Sequence, residues 1–185
     1  MSIQRLDASH AAAYRALMLE AYERHPQAFT SSVAERAAMP LSWWESRLSS
    51  PLDLLLGAFE GGELVGIVGL AFEVREKARH KATLFGLYVA QPYRRSGLGY
   101  RLVQASLQEA RQRPGVRLVQ LTVTAGNEAA LVLYQRCGFV QFGLEPLAVR
   151  VGVEYFDKLH LWREVISPSD DPRSYRPTPL FNAPR

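Results

Sequence analysis

The amino-acid sequence predicts a mixed α/β fold in one domain, and three observations carry that reading. Short β-prone runs crowd residues 53 to 90 around the pair Gly61-Gly62, a long amphipathic stretch "GLGYRLVQASLQEARQR" follows, and strand-like and helix-like stretches alternate from there on. At 185 residues and 48% hydrophobic, the chain is long enough to bury a sizeable core, and its length suits a single domain.

Residues 2 to 6 read as a short strand. "DASHAAAYRALMLEAYERH" sets Ala12, Leu17 and Ala21 at helical spacing behind a cap at Asp7 or Ser9, which predicts a first helix. "SSVAERAAMPLSWWESRLSS" reads as a second helical segment that Pro40 interrupts, by a break or a new start. Gly61-Gly62 supplies the positive φ of a tight hairpin, so Asp53 to Phe59 and Leu64 to Glu73 are antiparallel strands. "EVREKARHKA" is a charged connection, and "TLFGLYVA" is a third strand ending at Gln91-Pro92.

Leu98, Leu102, Ala105 and Val103, Leu107, Ala110 define the apolar face of the amphipathic helix, with Arg101, Gln104, Gln108 and Arg111 outward and Pro114-Gly115 as its stop. "VRLVQLTVT" is then a strand, "NEAALVLYQRC" a short helix stopped by Gly138, and the text through Glu164 further strand. The domain runs over residues 1–166. Residues 167–185, rich in proline and short polar residues, read as a tail with little to bury.

The 22 basic and 18 acidic residues give a net charge of +4, which favours anionic ligands without the clustering expected of a nucleic-acid binder. A phosphorylated cofactor satisfies the same balance. One cysteine, Cys137, excludes an intrachain disulfide and a cysteine-rich metal site, and the four histidines lack metal-ligand spacing, so no metal is expected. The start lacks the apolar core of a signal peptide, and "LVGIVGLAF" is too short to span a bilayer. A cytoplasmic protein without membrane or nucleic-acid partners is the expectation.

Between the third strand and the amphipathic helix stands "QPYRRSGLG". A strand, a glycine turn and a helix start aim free backbone N–H groups and the positive end of a helix dipole at one point, which suits phosphate. Gly97 and Gly99 keep side chains off that backbone, and Arg94 and Arg95 add charge. A dinucleotide fingerprint needs a third glycine where Leu102 stands, and a Walker loop needs a Gly-Lys-Ser/Thr that is absent. The remaining pattern, Arg94-x-x-Gly97-x-Gly99, resembles the acetyl-CoA pyrophosphate loop of the GNAT superfamily of N-acetyltransferases. Asn127, Ala130, Leu133 and Tyr134 then match that family's "N-x-x-A-x-x-L-Y" helix, with Asn127 and Tyr134 on one face about 10 Å apart along the axis.

The resemblance covers about Ile3 to Glu164. It implies a mixed, mostly antiparallel twisted central sheet of about six to seven strands flanked by about four helices, and acetyl-CoA as acyl donor. It implies direct transfer to a primary amine of a small molecule or protein, with a homodimer common in the family. Arg94, Arg95, Ser96, Gly97, Leu98 and Gly99 then form the pyrophosphate loop. Leu87, Tyr88 and Val89 flank the pantetheine arm, the Val89 amide facing the thioester oxygen, and Asn127 and Tyr134 complete the donor site. Tyr134 is the general acid for the CoA thiolate. Glu73 and His80 are the candidate general bases, with Glu154 a further one. Phe29, Trp43, Trp44, Tyr155 and Phe156 are candidates for an acceptor pocket. The alternative is a non-catalytic acyl-CoA-binding regulatory module. Tyr134 favours the enzyme, whereas absence of any acid or water path near Val89 favours the module.

Overall fold

In a computed structural model, which describes residues 1–165, a seven-stranded sheet separates two helical layers. The predicted tail lies outside the described residues. β1 (Ser2–Arg5) leads through a 3₁₀ turn into α1 (Ala11–Arg24), and Asp7 is the cap: its side chain accepts from the Ser9 amide at 2.9 Å, while His10 Nδ1 accepts from the Asp7 amide at 3.2 Å. A second reciprocal cap starts α2 (Val33–Ala37), where Ser32 Oγ accepts from the Glu35 amide and Glu35 accepts from the Ser32 amide. Pro40, lacking an amide to leave unpaired, sits at the head of α3 (Leu41–Ser49). The proline therefore divides the second helical segment, and the helices number five among the described residues rather than about four.

β2 (Asp53–Glu60) and β3 (Glu63–Phe72) form the expected hairpin, with Gly61 and Gly62 at φ 57° and 87° in a two-residue turn. β4 (Lys81–Val89) follows antiparallel to β3, then α4 (Leu98–Gln112), β5 (Leu118–Thr124), α5 (Glu128–Arg136), β6 (Val140–Val151) and β7 (Glu154–Glu164). The sheet order is β1-β2-β3-β4-β5-β7-β6. Every neighbouring pair is antiparallel except β4 with β5.

One core lies under α4 and α5, where Leu98, Leu102, Val103, Leu107 and Ala110 meet Val65, Val68, Val119 and Leu121. The predicted apolar face of α4 is thus the buried one. The other core lies under α1 and α3, where Trp44 at 1% exposure packs its ring edge-on to Tyr14 at 5.3 Å beside Leu6, Leu17 and Ile67. No helix of the described residues is long and apolar enough to cross a membrane.

Candidate active site

The parallel pair creates the site by failing to continue. β4 and β5 are in register only at Lys81–Thr83 with Leu118–Gln120, and beyond those residues their edges part into a wedge. A bulge accompanies the parting: Phe85 pairs with Gly69 and Tyr88 with Ile67, so Gly86 and Leu87 together stand opposite Val68. Gly86 has φ 63°, a conformation that disfavours a side chain.

Hydrogen-bond alternation then fixes where Val89 points. The Ala90 amide donates to the Val65 carbonyl at 2.9 Å, so the next pair inward, Gly66 with Val89, is a non-hydrogen-bonded one. The Val89 amide and carbonyl face the wedge. The carbonyl accepts from Arg94 Nε at 2.9 Å, leaving the amide for a ligand. The same alternation corrects the expectation for Tyr88: its peptide groups pair with Ile67, and its buried ring lies in the α1 layer, where the hydroxyl donates to Glu20 at 2.9 Å.

At the mouth of the wedge, Gly97 caps α4 with φ 79°, and Arg95 before it has φ 62°. Two left-handed residues in three turn the chain sharply, and the first-turn amides of Leu98, Gly99 and Tyr100 have no carbonyl within the helix to bond. Ser96 Oγ donates to the Tyr93 carbonyl at 2.6 Å and pins the turn. A Cβ placed on Gly97 would meet nothing within 4 Å, so the space before those amides is open to a phosphate-sized anion. Leu98 contributes only its amide, its side chain being 1% exposed in the core. Arg95 is exposed beside the turn, whereas Arg94 is committed to architecture: besides Val89 it contacts His25 Nε2 at 2.9 Å and covers the Tyr88 ring at 5.2 Å.

On the far side of the wedge, Asn127 caps α5, its Oδ1 accepting from the Ala130 amide at 3.2 Å. Tyr134 is 7% exposed and packs against Phe139, with no hydrogen bond to its hydroxyl among the described residues. Burial pushes that hydroxyl well above the ordinary tyrosine range.

A cavity of about 300 Å³ passes through the wedge, lined by Gly86 and Leu87 of β4, Thr122 and Thr124 of β5, and Asn127 and Tyr134 of α5. It continues into the α1–α3 layer, where Tyr14, Tyr22, Phe29, Trp43 and Trp44 wall it. Thr124 Oγ1, donating to the Gln27 carbonyl at 2.8 Å, ties the α1–α2 connection across that end. Phe29, Trp43 and Trp44 therefore lie where the acceptor was expected, but Tyr155 and Phe156 do not line the cavity.

Neither candidate base reaches it. The Glu73 amide bonds the Lys81 carbonyl and the His80 carbonyl receives the Arg117 and Leu118 amides, which puts both residues at the closed end of the parallel pair. Glu154 starts β7 on the exposed hairpin turn. The charged lining that sequence reasoning missed is cationic: Arg36, Arg47 and Lys158. Lys158, 9% exposed opposite Thr124, has its ammonium held below the usual lysine range by burial, against the pull of Glu145.

A splayed parallel pair with a phosphate cradle at its mouth defines the class of α/β proteins that lay an extended phosphorylated ligand between two strands. Within that class, the chain belongs to the acetyltransferase (GNAT) family, whose model matches residues 13–139. It is similar to the [ribosomal protein bS18]-alanine N-acetyltransferase of Escherichia coli, 39% identical over 69 residues that make up 37% of this chain and 46% of that one. The chain thus spans less than half the length of that relative. It is 34% identical over 112 residues to N-alpha-acetyltransferase RimI of Mycobacterium tuberculosis, covering 60% of this chain and 68% of that one. In fold it resembles the structure of yncA, a putative acetyltransferase from Salmonella typhimurium with its cofactor acetyl-CoA. That match has a TM-score of 0.76 at 20% identity and covers 92% of this chain and 97% of the other.

Proposed function

We propose that the protein is an N-acetyltransferase that moves the acetyl group of acetyl-CoA directly to a primary amine, within a ternary complex. One observation carries the reading: the α4 amides stand at the mouth of the wedge that Val89 faces, and the cavity through that wedge is lined by Tyr134 and continues into a walled pocket in the α1–α3 layer. The α4 N-terminus and Arg95 hold the pyrophosphate, and the β4 edge from Leu87 to Val89 lies along the pantetheine arm. The Val89 amide donates to the thioester oxygen as negative charge develops there. Tyr134, protonated because burial raises its pKa, donates to the departing thiolate.

No carboxylate or imidazole lines the cavity among the described residues, so a neutral nucleophile must arise another way. Arg36, Arg47 and Lys158 disfavour a further positive charge beside them, which lowers the pKa of an acceptor ammonium and lets its proton leave through the cavity water. The lack of an acid in that lining is a feature that favours the non-catalytic module, whereas Tyr134 in the same lining favours the enzyme. Calorimetric titration with acetyl-CoA followed by a free-thiol assay on a panel of amines tests the proposal; absence of acetyl-CoA binding removes it.

A homodimer belongs to the same proposal. β6 is the edge of the sheet and exposes the alternate residues Val140, Phe142 and Leu144 at 60%, 58% and 54%. Sedimentation of Phe142→Glu should show a lighter species than the parent protein, and identical sedimentation of a dimeric parent and this variant would exclude β6 as the contact.

A further inference from the structure

Arg36 and Arg47, from separate helices, lie against the same Trp43 indole, at 4.6 Å and 5.7 Å from its centre. Both side chains line the cavity. Their neighbours do not neutralise them as a pair. Arg36 donates to Ser31 Oγ at 2.7 Å, and its Nε is buried without a hydrogen-bond partner. Arg47 has one carboxylate, Asp53, at a long 3.5 Å, and otherwise covers the Trp43 and Phe85 rings, the latter at 5.3 Å. The positive field of both guanidiniums reaches the hydroxyls of Tyr14 and Tyr22 in the same wall.

Stacking on Trp43 explains how the arginines are held, but it leaves a buried guanidinium donor unbonded and two like charges on the wall of one cavity. An anion in that cavity relieves both conditions, and a guanidinium matches a carboxylate with two parallel N–H donors. A bare ammonium does the opposite, since it adds a third charge of the same sign. A peptide N-terminus would bring that cation into the pocket with no compensating anion.

We propose that the acceptor is a small amino carboxylate, a free amino acid or close analogue, whose carboxylate is bound by Arg36 and Arg47 and whose side chain packs on Phe29 and Trp43. This rests on the acetyltransferase reading and deepens it. The carboxylate would sit in the α1–α3 layer, leaving the amine to approach the thioester through the gap at Gly86. Arg36 and Arg47 set specificity, and with the carboxylate on them Lys158 is the cation left to disfavour the ammonium before transfer.

The test uses the full chain at saturating acetyl-CoA, comparing thiol release with free amino acids, their carboxamides, and dipeptides sharing the same N-terminal residue. Charge-assisted hydrogen bonds of this kind favour the acid over its carboxamide by about ten- to a hundredfold in kcat/KM. Arg36→Gln and Arg47→Gln should erase most of that preference by raising KM for the acid, so that kcat/KM falls more for the acid than for its carboxamide; Arg47→Lys should recover part of it. Carboxamides or dipeptides used as well as the acids by the wild-type protein would overturn the inference, whatever the variants do. If no amine is turned over, thermal stabilisation by the acids and not the carboxamides in the presence of acetyl-CoA sustains it, and equal response to both overturns it. Failure of acetyl-CoA itself to bind by calorimetry is the separate result that sinks the transferase reading.

Discussion

Replacing Tyr134, which lines the cavity, by phenylalanine removes one oxygen that has no hydrogen-bond partner among the described residues. Folding therefore loses no internal bond, and stability should stay within about 0.5 kcal/mol of the parent. Catalysis should not be so indifferent. A positioned general acid contributes ~10²–10⁴-fold, and a thiol with a pKa near 8.5 is an undemanding leaving group, which favours the lower end. A hundredfold fall in kcat corresponds to about 2.7 kcal/mol of lost transition-state stabilisation. KM for acetyl-CoA should change little, because the α4 amides and the Val89 amide are untouched. The assay is single-turnover thiol release, with the melting temperature measured on the same sample. Because burial raises the Tyr134 pKa, the parent should show no falling limb from this residue below about pH 10. Full turnover by Tyr134→Phe where chemistry limits the rate, or loss of a limb well below pH 10 on mutation, would refute the acid assignment.

Gly97→Glu places bulk and negative charge before the free α4 amides and should weaken acetyl-CoA binding by more than about a hundredfold, read by calorimetry on a protein with unchanged circular dichroism. Gly97→Ala should bind more nearly normally but melt lower, since φ 79° costs a non-glycine residue about 1–2 kcal/mol. Lys158→Met removes a buried charge from the cavity, so the rising limb of kcat against pH should move to higher pH; an unmoved limb would mean the field of Lys158 does not reach the bound amine. His25 is held below its ordinary pKa by burial, then by Arg94 and Arg24. The unfolded chain therefore takes up its proton first as pH drops, so the stability that neutral His25 supports is complete above about pH 6.5 and is lost as pH falls through the folded value. Denaturant melts at pH 7.5 and 5 should show a smaller difference for His25→Gln than for the parent, and equal differences would dismiss the coupling.

Local chemistry made much of this fold readable. Gly61-Gly62 and the long face from Leu98 to Ala110 each specify an element through a few neighbouring residues, and the structure places those elements as expected. The cradle was legible for the same reason, because Gly97 and the start of α4 adjoin in the chain. What stayed hidden depended on pairing across the sheet. An isolated glycine within "TLFGLYVA" hinted at a bulge, but only the register with β3 locates it at Gly86-Leu87 and turns Tyr88 away. Glu73 and His80 have suitable chemistry, yet nothing local reveals that β4 and β5 meet at that end and part at the other. Arg36, Arg47 and Lys158 come from α2, α3 and β7, and no sequence spacing announces that they share a cavity.

The brief contact between β4 and β5 also makes the sheet a jointed object. Four strands stand on one side of the seam and three on the other, joined through the sheet by three residue pairs. A ligand lying along the wedge is therefore a splint as well as a reactant, adding bonds across the joint where the chain supplies none. Amide exchange should slow most at Val89 and along the facing edge of β5, and the two halves should open together more than apart once the splint is in place.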